Sequence, residues 1–175
     1  MVLINTHFHF DGGSGGNQAF LEAGAKVYGS DLTAKLLRER GKKLRQGMLE
    51  VLAGKPALQE RFASFTPQPP KLTFPLQKGL MLKFGHEEVQ LRFPGHAHAP
   101  DNVVVWFPTR GLLVGGCAVV AMPKMGYLGD ANLESWSAAL EVMRGFKPTL
   151  VIPGHQRPDD ATLLEHTQRL VNEAL

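Results

Sequence analysis

Thr6-His7-Phe8-His9-Phe10-Asp11 is the stretch on which the reading of this chain turns. Residues of an extended segment alternate sides, so the pattern predicts His7, His9 and Asp11 on one side and Phe8 and Phe10 in the core. Two imidazoles and a carboxylate converging at a strand end suit a borderline-soft ion such as zinc. The plainer alternative is a polar strand end with two chance histidines. Just upstream, Val2 to Asn5 reads as a short buried strand, and just downstream Gly12 to Gly16 reads as a glycine-rich loop. No Lys-Ser/Thr pair follows those glycines, so they do not form a phosphate cradle.

Three further segments carry the same kind of residue in the same kind of place. Pro94-Gly95-His96-Ala97-His98-Ala99-Pro100-Asp101-Asn102 lies between two predicted strands, with small residues that let the backbone turn tightly. Gly115-Gly116-Cys117 follows the apolar run Leu112–Val114, and Pro153-Gly154-His155 follows Thr149–Ile152. Taken singly, Cys117 reads more often as a small buried hydrophobe than as a ligand, with a reactive thiol the other alternative, and His155 reads equally as an ordinary loop histidine. Together, four strand ends that each deliver His, Asp or Cys from a Gly- or Pro-bearing loop are hard to explain as packing.

The rest of the chain places these segments in one α/β domain covering residues 1–175. The spacing predicts helices from about Asn17 to Ala23, stopped by Gly24, and from Ser30 or Asp31 to Arg40, stopped by Gly41. More helix is expected between Leu44 and Ser64, with Pro56 in a first turn. Pro67, Pro69, Pro70 and Pro75 then mark an extended connector. Leu80–Phe84 with Val89–Phe93, and Val103–Phe107 with Leu112–Val114, read as hairpins. A helix from Leu133 capped by Asn132, a strand at Thr149–Ile152 and a last helix capped by Asp159 or Asp160 complete the pattern.

Composition narrows the function classes. With 43% hydrophobic and 20% charged residues the chain is of the globular type, and no apolar run approaches the about 20 residues of a membrane span. The net charge of +3 is spread out, and the densest basic patch (Arg38, Arg40, Lys42, Lys43, Arg45) reads as a solvated helix face, so no nucleic-acid partner is expected. A single cysteine excludes an internal disulfide. No basic leader with an apolar stretch precedes the first motif, which leaves periplasm and cytoplasm both open.

The segments THFHFD, GHAHAPDNVVVW, LLVGGC, GYLGDAN and VIPGH resemble the metallo-β-lactamase superfamily, and within it the class B β-lactamases with a cysteine on the second metal. The resemblance is specific and covers nearly the whole chain. It implies an αββα sandwich with the site at one edge of the sheets, and up to two Zn2+ per chain. Carried over residue by residue, it assigns His7, His9 and His98 to a first zinc, and Asp11, Cys117 and His155 to a second. His98 is chosen over His96 because the family's ligand stands three residues before the Asp-Asn pair, here Asp101-Asn102. Glyoxalase-type and ribonuclease-type members carry a histidine after the motif aspartate, where this chain has Gly12, and an aspartate in place of Cys117.

The implied activity is hydrolysis of a β-lactam-like small molecule by a zinc-activated water that Asp11 orients. Where the subclass has a lysine after the cysteine, this chain has Val120, so Lys124 is expected to take the substrate carboxylate. Tyr127 replaces an asparagine beside Leu-Gly-Asp and is expected to donate through its hydroxyl. A lactonase or other amidase of the same fold is the alternative, as is a zinc-binding protein without useful activity. Members of the family have several strands before the first histidine motif, so the chain reads as an N-terminally truncated form of the fold. Weak hydrolysis and a homo-oligomer, a dimer or a pair of dimers, are expected on that account.

Overall fold

Strand β1 (Val2–Ile4) lies parallel to β2 (Lys26–Ser30), with Val2 opposite Lys26 and Ile4 opposite Tyr28. A parallel pair needs a crossover, and here it is a π-helical turn, Phe10–Ser14, leading into α1 (Gly15–Glu22). Gly24, at φ +75°, turns the chain out of that helix into β2. The computed structural model describes the backbone of residues 1–175 and the side chains of all except Ser14 and Arg61. The chain divides into two compact units, Met1–Thr73 and Phe74–Leu175, with a mixed α/β content of two sheets and five α-helices.

In the first unit, helix α2 (Asp31–Val51) starts where predicted: the Ser30 hydroxyl accepts a hydrogen bond from Thr33 N at 2.9 Å. It does not stop at Gly41. That glycine is buried within the helix, where a methyl group in its place would make ordinary van der Waals contact with Pro67 Cβ at 3.4 Å. The stripe Thr33, Leu37, Gly41 simply continues through the half-buried Leu44 and Met48. Helix α3 (Pro56–Ala63) opens on Pro56 as expected, and the proline-rich connector ends in β3 (Leu72–Phe74), which completes the sheet order β1-β2-β3.

The second unit is built on a sheet ordered β4-β5-β6-β7-β8. The hairpin of β4 (Leu80–Phe84) and β5 (Glu87–Arg92) and that of β6 (Val104–Phe107) and β7 (Leu112–Gly116) match the predicted strands closely. Strand β8 (Leu150–Pro153) runs parallel to β7, reached through α4 (Leu133–Gly145), whose cap is the Asn132 side chain accepting from Ser135 N. Neither predicted aspartate is the N-cap of α5 (Thr162–Ala174): Ala161 holds that position, and Asp160 Oδ1 accepts from Thr162 N at 2.8 Å. Asp159 instead bridges its backbone to Val151.

Helices α4 and α5 pack with the sheet around Trp136, Leu140, Met143, Leu164 and Val171. Trp136 is 1% exposed, and its indole N–H donates to Ala118 O at 2.9 Å, tying the loop after β7 to the core. Truncating such a residue costs about 3–5 kcal/mol, so this loop begins from a firm base. No helix of the described residues is long and apolar enough to cross a membrane.

Candidate metal centre

Donor residues lie in both units. In the first, the segment Thr6–Asp11 is not the extended strand its alternation suggests: it bends from Thr6 to His9 and enters the π-helical turn at Phe10. At about 3.3 Å per residue, an extended chain would separate positions 7 and 11 by about 13 Å. Instead His7 Nε2 and Asp11 Oδ1 are 3.7 Å apart. Two backbone bonds close the coil, Thr6 N donating to Gly12 O at 3.0 Å and Gly13 N to His9 O at 3.1 Å. π-Helical turns of this kind occur often at functional sites.

Convergence follows from that coil. The rings of His7 and His9 meet edge to face with centroids 4.8 Å apart, and one donor atom from each of His7, His9 and Asp11 lies within 4.8 Å of the others. His7 is fully buried, His9 nearly so, and Asp11 is exposed. Phe8 goes into the core as predicted. Phe10 does not, and rests half-exposed against Phe62 at 5.5 Å and Phe65 at 5.6 Å. A Cβ at Gly12 would stand 2.0 Å from two atoms of the His7 ring, so the imidazole lies flush on the glycine backbone. A side chain there would force the His7 ring to shift.

The brace behind this loop was not legible beforehand. Asn5 and Asn17 exchange amide hydrogen bonds of 2.7 and 2.8 Å, both side chains buried. Asn5 Nδ2 also donates to Gly13 O at 3.3 Å, and Asn17 Nδ2 to Gln68 O at 2.7 Å. A lone asparagine at a strand end and another at a helix start carry no signal of pairing until the fold juxtaposes them.

In the second unit the sheet itself gathers the donors. Because β7 and β8 are parallel, and a register shift between Val114 and Gly116 sets Gly116 opposite Pro153, Cys117 and His155 leave the same end of adjacent strands. Cys117 Sγ stands 3.6 Å from His155 Nε2. Strand β6 is antiparallel to β7, so the loop before it, Pro94–Val103, opens at that same end. A ring nitrogen of His98 lies within 4.8 Å of Cys117 Sγ. His96 faces elsewhere, its Nε2 2.8 Å from Asp130 O. Asn102 Oδ1 accepts from Ala99 N at 2.7 Å, holding the tight turn beside His98.

Two imidazoles with a carboxylate suit a borderline-soft divalent ion, and the Cys117 thiol with the His155 imidazole is a soft pair for one. A glycine stands against one donor in each unit, Gly12 under His7 and Gly154 under Cys117, where a Cβ would stand 2.5 Å from Sγ and something would have to shift.

The residues expected to meet substrate lie on the loop after Cys117. Val120 is buried in the core, its N–H donating to Thr167 Oγ1 at 2.9 Å, so a lysine at that position would point inward. Lys124 and Tyr127 are both exposed. The Tyr127 ring folds back over Gly129, with its hydroxyl 3.4 Å from Asp130 Oδ2.

A family model described as the metallo-beta-lactamase superfamily matches residues 1–155. The chain is 29% identical over 177 residues to a metallo-beta-lactamase type 2 of Elizabethkingia meningoseptica, a match covering 99% of this chain and 60% of that protein. It is 32% identical over 173 residues to a metallo-beta-lactamase type 2 of Bacillus sp. (strain 170), covering 97% of this chain and 56% of that protein. Among solved structures, a metallo-beta-lactamase from Pontibacter korlensis superposes with a TM-score of 0.75 at 30% identity, covering 98% of this chain and 68% of that one. The chain thus spans 60% and 56% of the length of these two curated relatives.

Proposed function

Because the chain belongs to the metallo-beta-lactamase superfamily, we propose that it is a zinc-dependent hydrolase that opens the cyclic amide of a β-lactam. The observation that carries this reading is the convergence of His7, His9 and Asp11 donor atoms within 4.8 Å, at a loop coiled for the purpose. By the resemblance, His7, His9 and His98 would hold one zinc ion, and Asp11, Cys117 and His155 a second. When bound, zinc would act as a Lewis acid and lower the pKa of coordinated water to about 7. Asp11, exposed as His155 is, would orient the attacking water through its carboxylate and accept a proton at Oδ1 or Oδ2. That proton returns to the ring nitrogen as the C–N bond breaks, so no covalent intermediate with a side chain is needed. Lys124 pairs with the substrate carboxylate, and the Tyr127 hydroxyl donates to a substrate oxygen.

The test is hydrolysis of a chromogenic cephalosporin and a carbapenem by the purified chain, before and after chelation. The reading expects turnover that a chelator abolishes and added zinc restores. Zinc-loaded, folded protein inert to every β-lactam but active on lactones would overturn it. That second reading, a lactonase or other amidase of the same fold, draws support from the buried Val120, which leaves the usual place for a carboxylate-binding lysine apolar. Self-association is part of the proposal too. β1 is an open edge of its sheet, and light scattering giving a monomer at micromolar concentration would exclude it.

A further inference from the structure

The loop from Ala121 to Ala131 has no regular hydrogen-bonded secondary structure, yet it carries Lys124 and Tyr127. Two histidines that are not in the proposed ligand set hold it. At its far end, His96 Nε2 lies 2.8 Å from Asp130 O. At its near end, His166 Nε2 lies 2.8 Å from Met122 O, two residues before Lys124. His166 sits on α5, beyond the residues matched by the family model. Its neighbour Thr167 accepts from Val120 N at 2.9 Å, so consecutive residues of one helix grip the loop's first turn.

The proton on His166 is placed by its other neighbour. Arg169 Nη2 lies 3.3 Å from His166 Nδ1. A guanidinium only donates, so Nδ1 is the acceptor, and Nε2 carries the hydrogen that reaches the Met122 carbonyl. Arg169, His166 and Met122 thus form a directed chain of hydrogen bonds ending at the base of the loop. The core side of the loop is fixed apolarly by Met122, Met125 and Leu128, which leaves Lys124 and Tyr127 on the outside.

We propose that His166 is a positioning residue for substrate binding: by anchoring Met122 it sets where the Lys124 cation and the Tyr127 hydroxyl stand. The role of the anchor rests on the reading that these two residues meet substrate, but the anchoring itself does not. His166 touches neither substrate nor metal, so its loss acts on KM and leaves zinc content and kcat nearly unchanged.

The experiment uses the full zinc-loaded chain and two readouts. Tryptic cleavage after Lys124, followed by mass spectrometry, reports how often the loop opens; steady-state kinetics on a chromogenic cephalosporin report binding. Loss of one ordinary hydrogen bond predicts about fivefold faster cleavage in His166→Ala, with KM raised by a similar factor. His166→Gln, which keeps an N–H in reach of Met122 O, restores both. Arg169→Ala changes only an exposed side chain, and also loosens the loop, which keeps the test valid if His166→Ala folds poorly. Cleavage unchanged in both alanine variants overturns the anchor. Faster cleavage with unchanged KM supports the anchor and overturns the substrate role of Lys124 and Tyr127.

Discussion

Cys117 Sγ stands 3.6 Å from His155 Nε2, each residue the first or second beyond one of two adjacent parallel strands. The sheet places the pair: β7 and β8 run parallel, and a register shift between Val114 and Gly116 sets Gly116 opposite Pro153 at their shared end. A thiol and an imidazole so placed are a soft pair for one metal. Cobalt substitution therefore gives a thiolate-to-metal absorption band in the near ultraviolet, and Cys117→Ser abolishes that band and one equivalent of bound metal. Equal spectra and equal occupancy in parent and variant would return the cysteine to a packing role.

Glycines 12 and 154 test the cradles. A methyl group at Gly12 would stand 2.0 Å from the His7 ring, and one at Gly154 2.5 Å from the Cys117 sulfur. Relief requires the ligand or its loop to move, at about 1–3 kcal/mol for overpacking of this kind. Gly12→Ala and Gly154→Ala should each lower zinc affinity while circular dichroism stays that of a folded chain. Zinc affinity equal to the parent in both would show that the close approach is unrelated to metal binding.

His98 and His96 separate by what their rings face. His96 is occupied with Asp130 O, whereas a ring nitrogen of His98 lies within 4.8 Å of Cys117 Sγ. His98→Ala should lose metal and activity together. His96→Ala should keep zinc and loosen only the loop. The reverse order of effects would mean that the ligand assignment is shifted by two residues.

Lys124 is exposed, so its pairing with a substrate carboxylate is worth about 1 kcal/mol or less. Lys124→Ala should raise KM by about fivefold at most with kcat unchanged, the signature of an interaction present equally before and during reaction. Unchanged KM leaves it as a solvated lysine.

Strand ends were legible in the sequence because each donor follows an apolar run and a glycine or proline. Leu112–Gly116 before Cys117 and Leu150–Pro153 before His155 came out within two residues of the prediction at either end. The coil at Thr6–Asp11 was not, since alternation of His and Phe has the period of a strand, while the π-helical turn depends on backbone bonds to Gly12 and His9. For the same reason Phe10 was misplaced in the core. Gly41 misled in the other direction: a helix-stopping residue by propensity, it lies mid-helix on the buried stripe of α2, which runs on through Leu44 and Met48. The braces at Asn5–Asn17 and His166–Met122 pair residues far apart in sequence, and neither residue of either pair announces its partner.

The most direct test of the metal centre is zinc bound per chain, read by native mass spectrometry of the purified 175-residue protein during zinc titration. Two ions per chain are predicted, one of them lost in Cys117→Ser and the other in His9→Ala. A folded chain that takes up no zinc at micromolar concentration, or that binds equally well without Cys117 and His9, would contradict the account.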